Sequence, residues 1–271
     1  VKQNTPQPRT DNPWLGLMIG NSRLHWALFI DNTLNSAWDT DHLSESDMQQ
    51  LAQTNTLPHS PSSSRPIFLS PNFPITLVLA SVVASQTKLW QTYPNVRLIT
   101  LNKIPIQGMY PTLGIDRALA LYGAGKTWGF PILVIDAGTA LTFTGADHQQ
   151  CLVGGAILPG LSLQFTSLGQ NTGQLPLLKT ASMINLPPRF AMNTPQAIQS
   201  GVIYTLLAGI KDFILSWLSL FPESKIVITG GNSGLLKEYL AMQFPDIGEN
   251  LILERNLIFW GMREIVMVHH E

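Results

Sequence analysis

Two stretches of this chain repeat one pattern. Leu17-Met18-Ile19-Gly20-Asn21-Ser22 runs into the apolar segment from Leu24 to Phe29, and Ile135-Asp136-Ala137-Gly138-Thr139-Ala140 runs into Leu141 to Thr144. Each reads as a strand, a glycine turn with small polar residues, and a second strand. The glycines at 20 and 138 lie 118 positions apart, close to the size of a small domain, so the echo reads as an internal duplication and not as a chance pair of hairpins. A chain of 271 residues, 45% of them hydrophobic, has enough apolar surface to build two compact halves.

Further strands are expected from Thr76 to Val83, Ala156 to Leu158 and Lys225 to Thr229, with the first pair widening over Leu15–Ile19 and Leu24–Ile30 and the second starting at Leu133. Helices are expected at Ile115–Gly123, Pro195–Leu220, Gly234–Gln243 and Leu257–Val268. The mixture gives an α/β class. The expected division is a polar tail over 1–13, which holds three prolines, a first domain over 14–120 and a second over 121–271. The segment from Asn55 to Pro66, with Pro58, Pro61 and three consecutive serines, reads as an exposed loop, and His269-His270 as a tail.

A formal net charge of −1 and no cluster of Lys and Arg leave no electrostatic footprint for nucleic acid. The single cysteine, Cys151, excludes an internal disulfide framework and fits a reducing compartment; no signal-peptide architecture opens the chain, so a cytoplasmic location is expected. Val202 to Phe221 has the length of a membrane span, but Lys211 and Asp212 sit at its centre, so a buried or subunit-interface helix is expected instead. A homodimer is compatible with such a helix.

A glycine turn lets backbone N–H groups approach an anion, and Asn21, Ser22 and Thr139 add side-chain donors. One such turn is ordinary hairpin chemistry; a pair of them, with the carboxylate of Asp136 ending its strand, suggests phosphoryl transfer. Asp136 suits a cation directly or through water, or else a hydrogen bond into its own turn. A third turn, Thr229-Gly230-Gly231-Asn232-Ser233-Gly234, joins a strand to a helix, where ligands of open α/β sheets collect. Gly123-Ala124-Gly125-Lys126-Thr127 ends like a P-loop, but Ala120 stands where the first glycine belongs and the preceding residues are helical; these glycines are expected to end the helix. The six histidines form no HExxH pattern and have no cysteine partner set, giving transition-metal catalysis little support.

In chain order, Gly20-Asn21-Ser22-Arg23, Leu113-Gly114-Ile115-Asp116-Arg117, Asp136-Ala137-Gly138-Thr139-Ala140 with Thr142, Gly154-Gly155-Ala156-Ile157 with Pro159-Gly160, Asn193-Thr194, Ser200-Gly201 and Thr229-Gly230-Gly231 resemble the motifs of type III pantothenate kinases. These enzymes belong to the actin-like ATPase and sugar kinase superfamily. The resemblance implies two ribonuclease-H-like halves with a nucleotide cleft between them, and ATP-dependent phosphorylation of pantothenate at the entry to coenzyme A synthesis. It assigns Asp116 as the base on the pantothenate hydroxyl, and Arg117, Tyr110, Gly114, Ile115 and Thr194 to the substrate. It assigns Gly20, Asn21, Ser22, Arg23, Gly138, Thr139, Gly230 and Gly231 to ATP, and Asp136 to Mg²⁺ or to K⁺ or NH₄⁺. It also implies a homodimer. Two positions depart from the family: Met18 stands where it has Asp, and His25 where it has Lys. A thioether is a poor ligand for Mg²⁺, so the cation load falls on Asp136 and water, or the chain catalyses weakly. The rival readings are a kinase of the same superfamily for a sugar or short carboxylate, and a nucleotide-binding regulator without catalysis.

Overall fold

The computed structural model describes residues 13–54, 75–180 and 185–268. The expected tail, apart from Pro13, the loop from Asn55 to Pro66, and His269-His270 lie outside the described residues. The chain divides into two compact units: one ends at Lys103 and takes back the chain from Ile265, and the other spans Ile104–Glu264.

The first unit begins with β1 (Pro13–Ile19), β2 (Leu24–Ile30) and β3 (Thr33–Thr40), then α1 (Glu45–Thr54), β4 (Thr76–Ser81), α2 (Ala84–Trp90) and β5 (Val96–Leu98). Its sheet runs β3-β2-β1-β4-β5, antiparallel from β1 through β3 and parallel from β1 to β4 to β5. β1 and β2 are central and nearly all their side chains are buried, which is why both read as continuous apolar runs. Leu15, Leu17, Trp26, Trp38, Leu77, Leu79 and Trp90 pack on one face of the sheet. Each such side chain contributes about 1.5–3 kcal/mol by leaving water.

The second unit opens with α3 (Ile115–Trp128), followed by β6 (Ile132–Ala137), β7 (Ala140–Ala146), β8 (Leu152–Pro159), α4 (Leu161–Asn171), α5 (Thr194–Leu220), β9 (Lys225–Thr229), α6 (Ser233–Gln243), α7 (Pro245–Gly248), β10 (Ile252–Leu253) and α8 (Leu257–Val268), whose last residues, from Ile265, belong to the first unit. Its sheet runs β8-β7-β6-β9-β10 with the same alternation of antiparallel and parallel pairs. The two sheets therefore match strand for strand, and the duplication is visible down to one hydrogen bond. Val82 N–H donates to the Ile19 carbonyl at the end of β1, and Asn232 N–H donates to the Ala137 carbonyl at the end of β6, both at 3.0 Å. This is the expected pair of α/β halves.

Several expectations need correction. The division expected between 120 and 121 would cut α3, which lies wholly in the second unit. The strand expected to reach Val83 stops at Ser81, whose hydroxyl accepts from Val83 N–H at 3.0 Å and turns the chain into α2. Helix α3 does not end at its glycines. A β-carbon on Gly123 would overlap Gly261 and Leu257 of α8, and one on Gly125 would overlap the Phe130 ring. These glycines permit close packing, and the helix ends at Gly129, whose φ is +89°. The N-cap of α5 is Asn193, whose side chain accepts from Gln196 N–H at 3.0 Å, which places Thr194 and Pro195 inside the first turn.

Sequence reading missed β3, α1, α2, β5, α4, α7 and β10. β3 is a polar edge strand, and α1 begins with a capping box in which Ser44 and Asp47 exchange hydrogen bonds. The long helix α5 buries Ile203, Leu206, Leu207, Ile210 and Ile214 in the core of the second unit. It remains long and apolar enough to span a membrane by length and composition, with 39% of its most apolar stretch buried.

Candidate active site

α3 carries the first group of candidate residues. Asp116 lies in its first turn, and its Oδ1 accepts from Arg117 N–H at 2.8 Å. This bend of the carboxyl back over the helix start needs a glycine two residues earlier, because a β-carbon on Gly114 would overlap Asp116 Oδ1. An acidic group also suits the positive end of a helix dipole.

Arg117 is 7% exposed and reaches β7. Its Nε donates to Thr144 Oγ1 at 2.9 Å, its Nη2 to the Phe143 carbonyl at 3.0 Å and its Nη1 to the Tyr110 hydroxyl at 3.1 Å. All three partners are neutral. A guanidinium has five N–H donors, so this arrangement fixes the fork while leaving its charge for an anionic ligand. Gly155 on β8 is required there as well, since a β-carbon would overlap the Phe143 carbonyl and crowd Arg117 Nη2. Leu113 and Ile115 are buried and anchor the segment, and Tyr110 is 42% exposed.

Asp136 organises the second group. It stands at the end of β6, level with Thr142 on β7 and Thr229 on β9, and is half-buried. The Gly138 and Gly230 turns meet at its carboxylate. Oδ1 lies 3.4 Å from where a Gly138 β-carbon would sit, and a β-carbon on Gly230 would overlap that oxygen. Gly160 closes the other side, with its N–H donating to the Thr139 carbonyl at 2.9 Å. Among the described residues no group of three or more His, Cys, Asp or Glu stands together. A hard cation at Asp136 would therefore complete its shell with phosphate oxygens and water, which is how Mg²⁺ is commonly held.

Thr194 lines a groove of about 690 Å³ with Gln164, Leu168, Met192, Ile198 and Val202, and neither Asp116 nor Arg117 is on that lining. In the first unit, Asn21, Ser22 and Arg23 of the Gly20 turn are exposed. Gly20 N–H is used within the turn, donating to the Arg23 carbonyl at 3.0 Å, so donors for a ligand come from the residues after it. Met18 is 1% exposed. His25 Nδ1 lies 2.7 Å from Asp39 Oδ1, and His42 Nε2 lies 3.3 Å from the Asn21 carbonyl.

Sequence reading missed Thr144, the Phe143 carbonyl and Asp39. Thr144 follows Thr142 at the two-residue period of a strand face, the one signal that could have found it. Asp39 sits in the polar edge strand, where nothing in the sequence distinguishes it from a solvated side chain.

A family model for type III pantothenate kinase matches residues 14–216. A type III pantothenate kinase from Nostoc sp. is 58% identical over 262 residues, covering 94% of this chain and 95% of the relative. One from Synechocystis sp. is 43% identical over 258 residues, covering 95% and 91%. Among solved structures, a Campylobacter jejuni protein described as a conserved Baf family transcriptional activator superposes with a TM-score of 0.61 at 21% identity, covering 94% of this chain and 98% of its own. Component A of the (R)-2-hydroxyglutaryl-CoA dehydratase from Acidaminococcus fermentans gives 0.50 at 10%, covering 94% and 96%. The latter two likenesses concern the fold.

Proposed function

We propose, for a chain that belongs to the type III pantothenate kinase family and phosphorylates pantothenate in coenzyme A biosynthesis, an assignment of that chemistry to particular side chains. Asp116 is the base. The primary hydroxyl of pantothenate attacks the γ-phosphorus of ATP, the bond from that phosphorus to the bridging oxygen breaks, ADP leaves, and the hydroxyl proton passes to the Asp116 carboxylate. Arg117 binds the pantothenate carboxylate, with Tyr110, Gly114 and Ile115 shaping the same pocket and Thr194 contacting the substrate from the start of α5. The observation that carries this reading is the buried Arg117 fork beside Asp116, its hydrogen-bond partners among the described residues all neutral.

The nucleotide falls to the glycine turns. Gly20, Asn21, Ser22 and Arg23 form one phosphate-binding turn and Gly138 and Thr139 another, while Gly230 and Gly231 take the adenosine. Asp136 fits a divalent or monovalent cation, Mg²⁺, K⁺ or NH₄⁺, since its hard carboxylate oxygen lies where the Gly138 and Gly230 turns meet. Bound there, a divalent cation offsets charge on the phosphates during transfer. Met18 cannot share that load. The protein acts as a cytoplasmic homodimer built on α5, supported by exposed apolar side chains at Phe213, Leu215 and Leu220 of that helix and at Ile157 of β8.

The test is ADP formation dependent on pantothenate, with Mg²⁺ present or absent, K⁺ or NH₄⁺ added, and glucose and acetate as competing acceptors. Turnover is expected with pantothenate alone, to require the divalent cation, and to rise with the monovalent one. Equal turnover with glucose would overturn the substrate assignment.

A further inference from the structure

Three residues of the first sheet lie in one row. Met18 on β1 pairs with His25 on β2, and His25 pairs with Asp39 on β3. Residues directly opposite in antiparallel strands project to the same face. The row therefore carries an apolar side chain, an imidazole and a carboxylate side by side, next to the Gly20 turn that closes β1 to β2. His25 Nδ1 lies 2.7 Å from Asp39 Oδ1. At the other edge of the ring, Nε2 lies 3.4 Å from where a Gly20 β-carbon would sit, so that edge abuts the turn.

The Asp39 partner decides which ring nitrogen carries a proton. The hydrogen bond from His25 holds the Asp39 carboxyl below its usual range, outweighing desolvation, with Arg23 also lowering it. Asp39 is thus ionised at neutral pH and can only accept, so Nδ1 is the donor. In the neutral ring Nε2 then presents a lone pair, which repels a phosphate oxygen. In the imidazolium it presents an N–H, which donates a charge-assisted hydrogen bond while Nδ1 keeps its bond to Asp39.

We propose that the His25 imidazolium, oriented by Asp39, is a phosphate-binding cation of the Gly20 turn, so that nucleotide binding takes up a proton at this ring. The inference rests on the assignment of that turn to nucleotide phosphate. The other groups around the ring do not replace it. Met18 and Ala80, its neighbours in the row on β1 and β4, carry no charge. Arg23 is a permanent cation that adds affinity at every pH, and His42 is turned to the Asn21 carbonyl at 3.3 Å. Mobility of the ring is limited by the carboxylate, which makes Asp39 a positioning residue.

The experiment measures MgATP affinity by calorimetry from pH 6 to pH 8.5, in buffers of different ionisation enthalpy, for the wild type and for His25→Lys, His25→Ala, Asp39→Asn and Asn21→Ala. The wild type is expected to take up protons on binding and to weaken about tenfold between pH 6 and pH 8.5 as the charge-assisted bond from the ring is lost. His25→Lys, a permanent cation, should bind with little dependence on pH beyond that of ATP itself. His25→Ala should bind weakly across the range, and Asp39→Asn should weaken binding less than His25→Ala does. Weakening by Asn21→Ala, with affinity and proton uptake unchanged in His25→Ala, would overturn the role of His25 and leave the turn as a phosphate site. Unchanged affinity in Asn21→Ala, His25→Ala and His25→Lys together would overturn the phosphate assignment of the turn and the inference with it.

Discussion

Gly230 leaves the space that Asp136 Oδ1 occupies: a β-carbon at 230 would overlap that oxygen and the Ala137 backbone, and the residue holds a φ of +91°. Both facts demand glycine. Gly230→Ala is therefore expected to cost about 1–3 kcal/mol from the backbone conformation alone and to displace the Asp136 carboxylate. Gly231, whose β-carbon would meet open space, should accept alanine without loss of stability. Melting curves and ATP affinity of the two variants check this. Equal behaviour would show that the Gly230 turn does not set the position of Asp136.

Changing Arg117 tests the substrate anchor. Alanine removes the ligand's partner and also strands the buried Thr144 hydroxyl and Phe143 carbonyl, at about 1–3 kcal/mol for each group left unpaired. Lysine keeps the charge and loses the fork. Arg117→Lys is expected to weaken pantothenate at least tenfold while leaving ATP affinity within twofold, about the scale of one lost charge-assisted bond. Calorimetry with each ligand separately decides it, and unchanged pantothenate affinity would reduce Arg117 to a structural role.

Asp116→Asn preserves the helix start, because the amide oxygen can still accept from Arg117 N–H as Oδ1 does at 2.8 Å. What it loses is basicity. Turnover is expected to fall about 10²- to 10⁴-fold, the usual contribution of a general base, with ATP binding intact. Near-normal turnover in a steady-state assay would reassign Asp116 to capping α3.

Met18→Asp tests whether the family's first-turn carboxylate can simply be restored. Met18 is 1% exposed, and His25, opposite in the sheet, is already committed to Asp39. An uncompensated buried charge costs about 3–5 kcal/mol, so the variant should melt well below the wild type, while Met18→Leu should stay within about 1.5 kcal/mol. A stable Met18→Asp protein that tightens ATP only with Mg²⁺ would show instead that position 18 reaches the cation.

The sequence by itself determined the duplication, the α/β class and the family. Strand, glycine turn and strand recur because each half must close its first hairpin tightly, and the apolar runs of β1, β2, β6, β7 and β9 mark strands buried in the sheets. The segments that carry Asp116, Arg117 and Asp136 stand out in the sequence for the same reason: each is short, glycine-marked and local in its geometry. Only tertiary structure decided what depends on residues far apart in the chain. The glycines of α3 looked like a helix stop and are a contact with α8, a distinction that exists only once Gly261 is packed against Gly123. Arg117 acquires its neutral cradle from Thr144 and Phe143, 27 and 26 residues away. The edge strand β3 is too polar to announce itself, yet its register with β2 delivers Asp39 to His25. Propensity and pattern act over a few residues; which carboxylate meets which cation is set by strand register, and register is fixed only when a whole sheet buries one face.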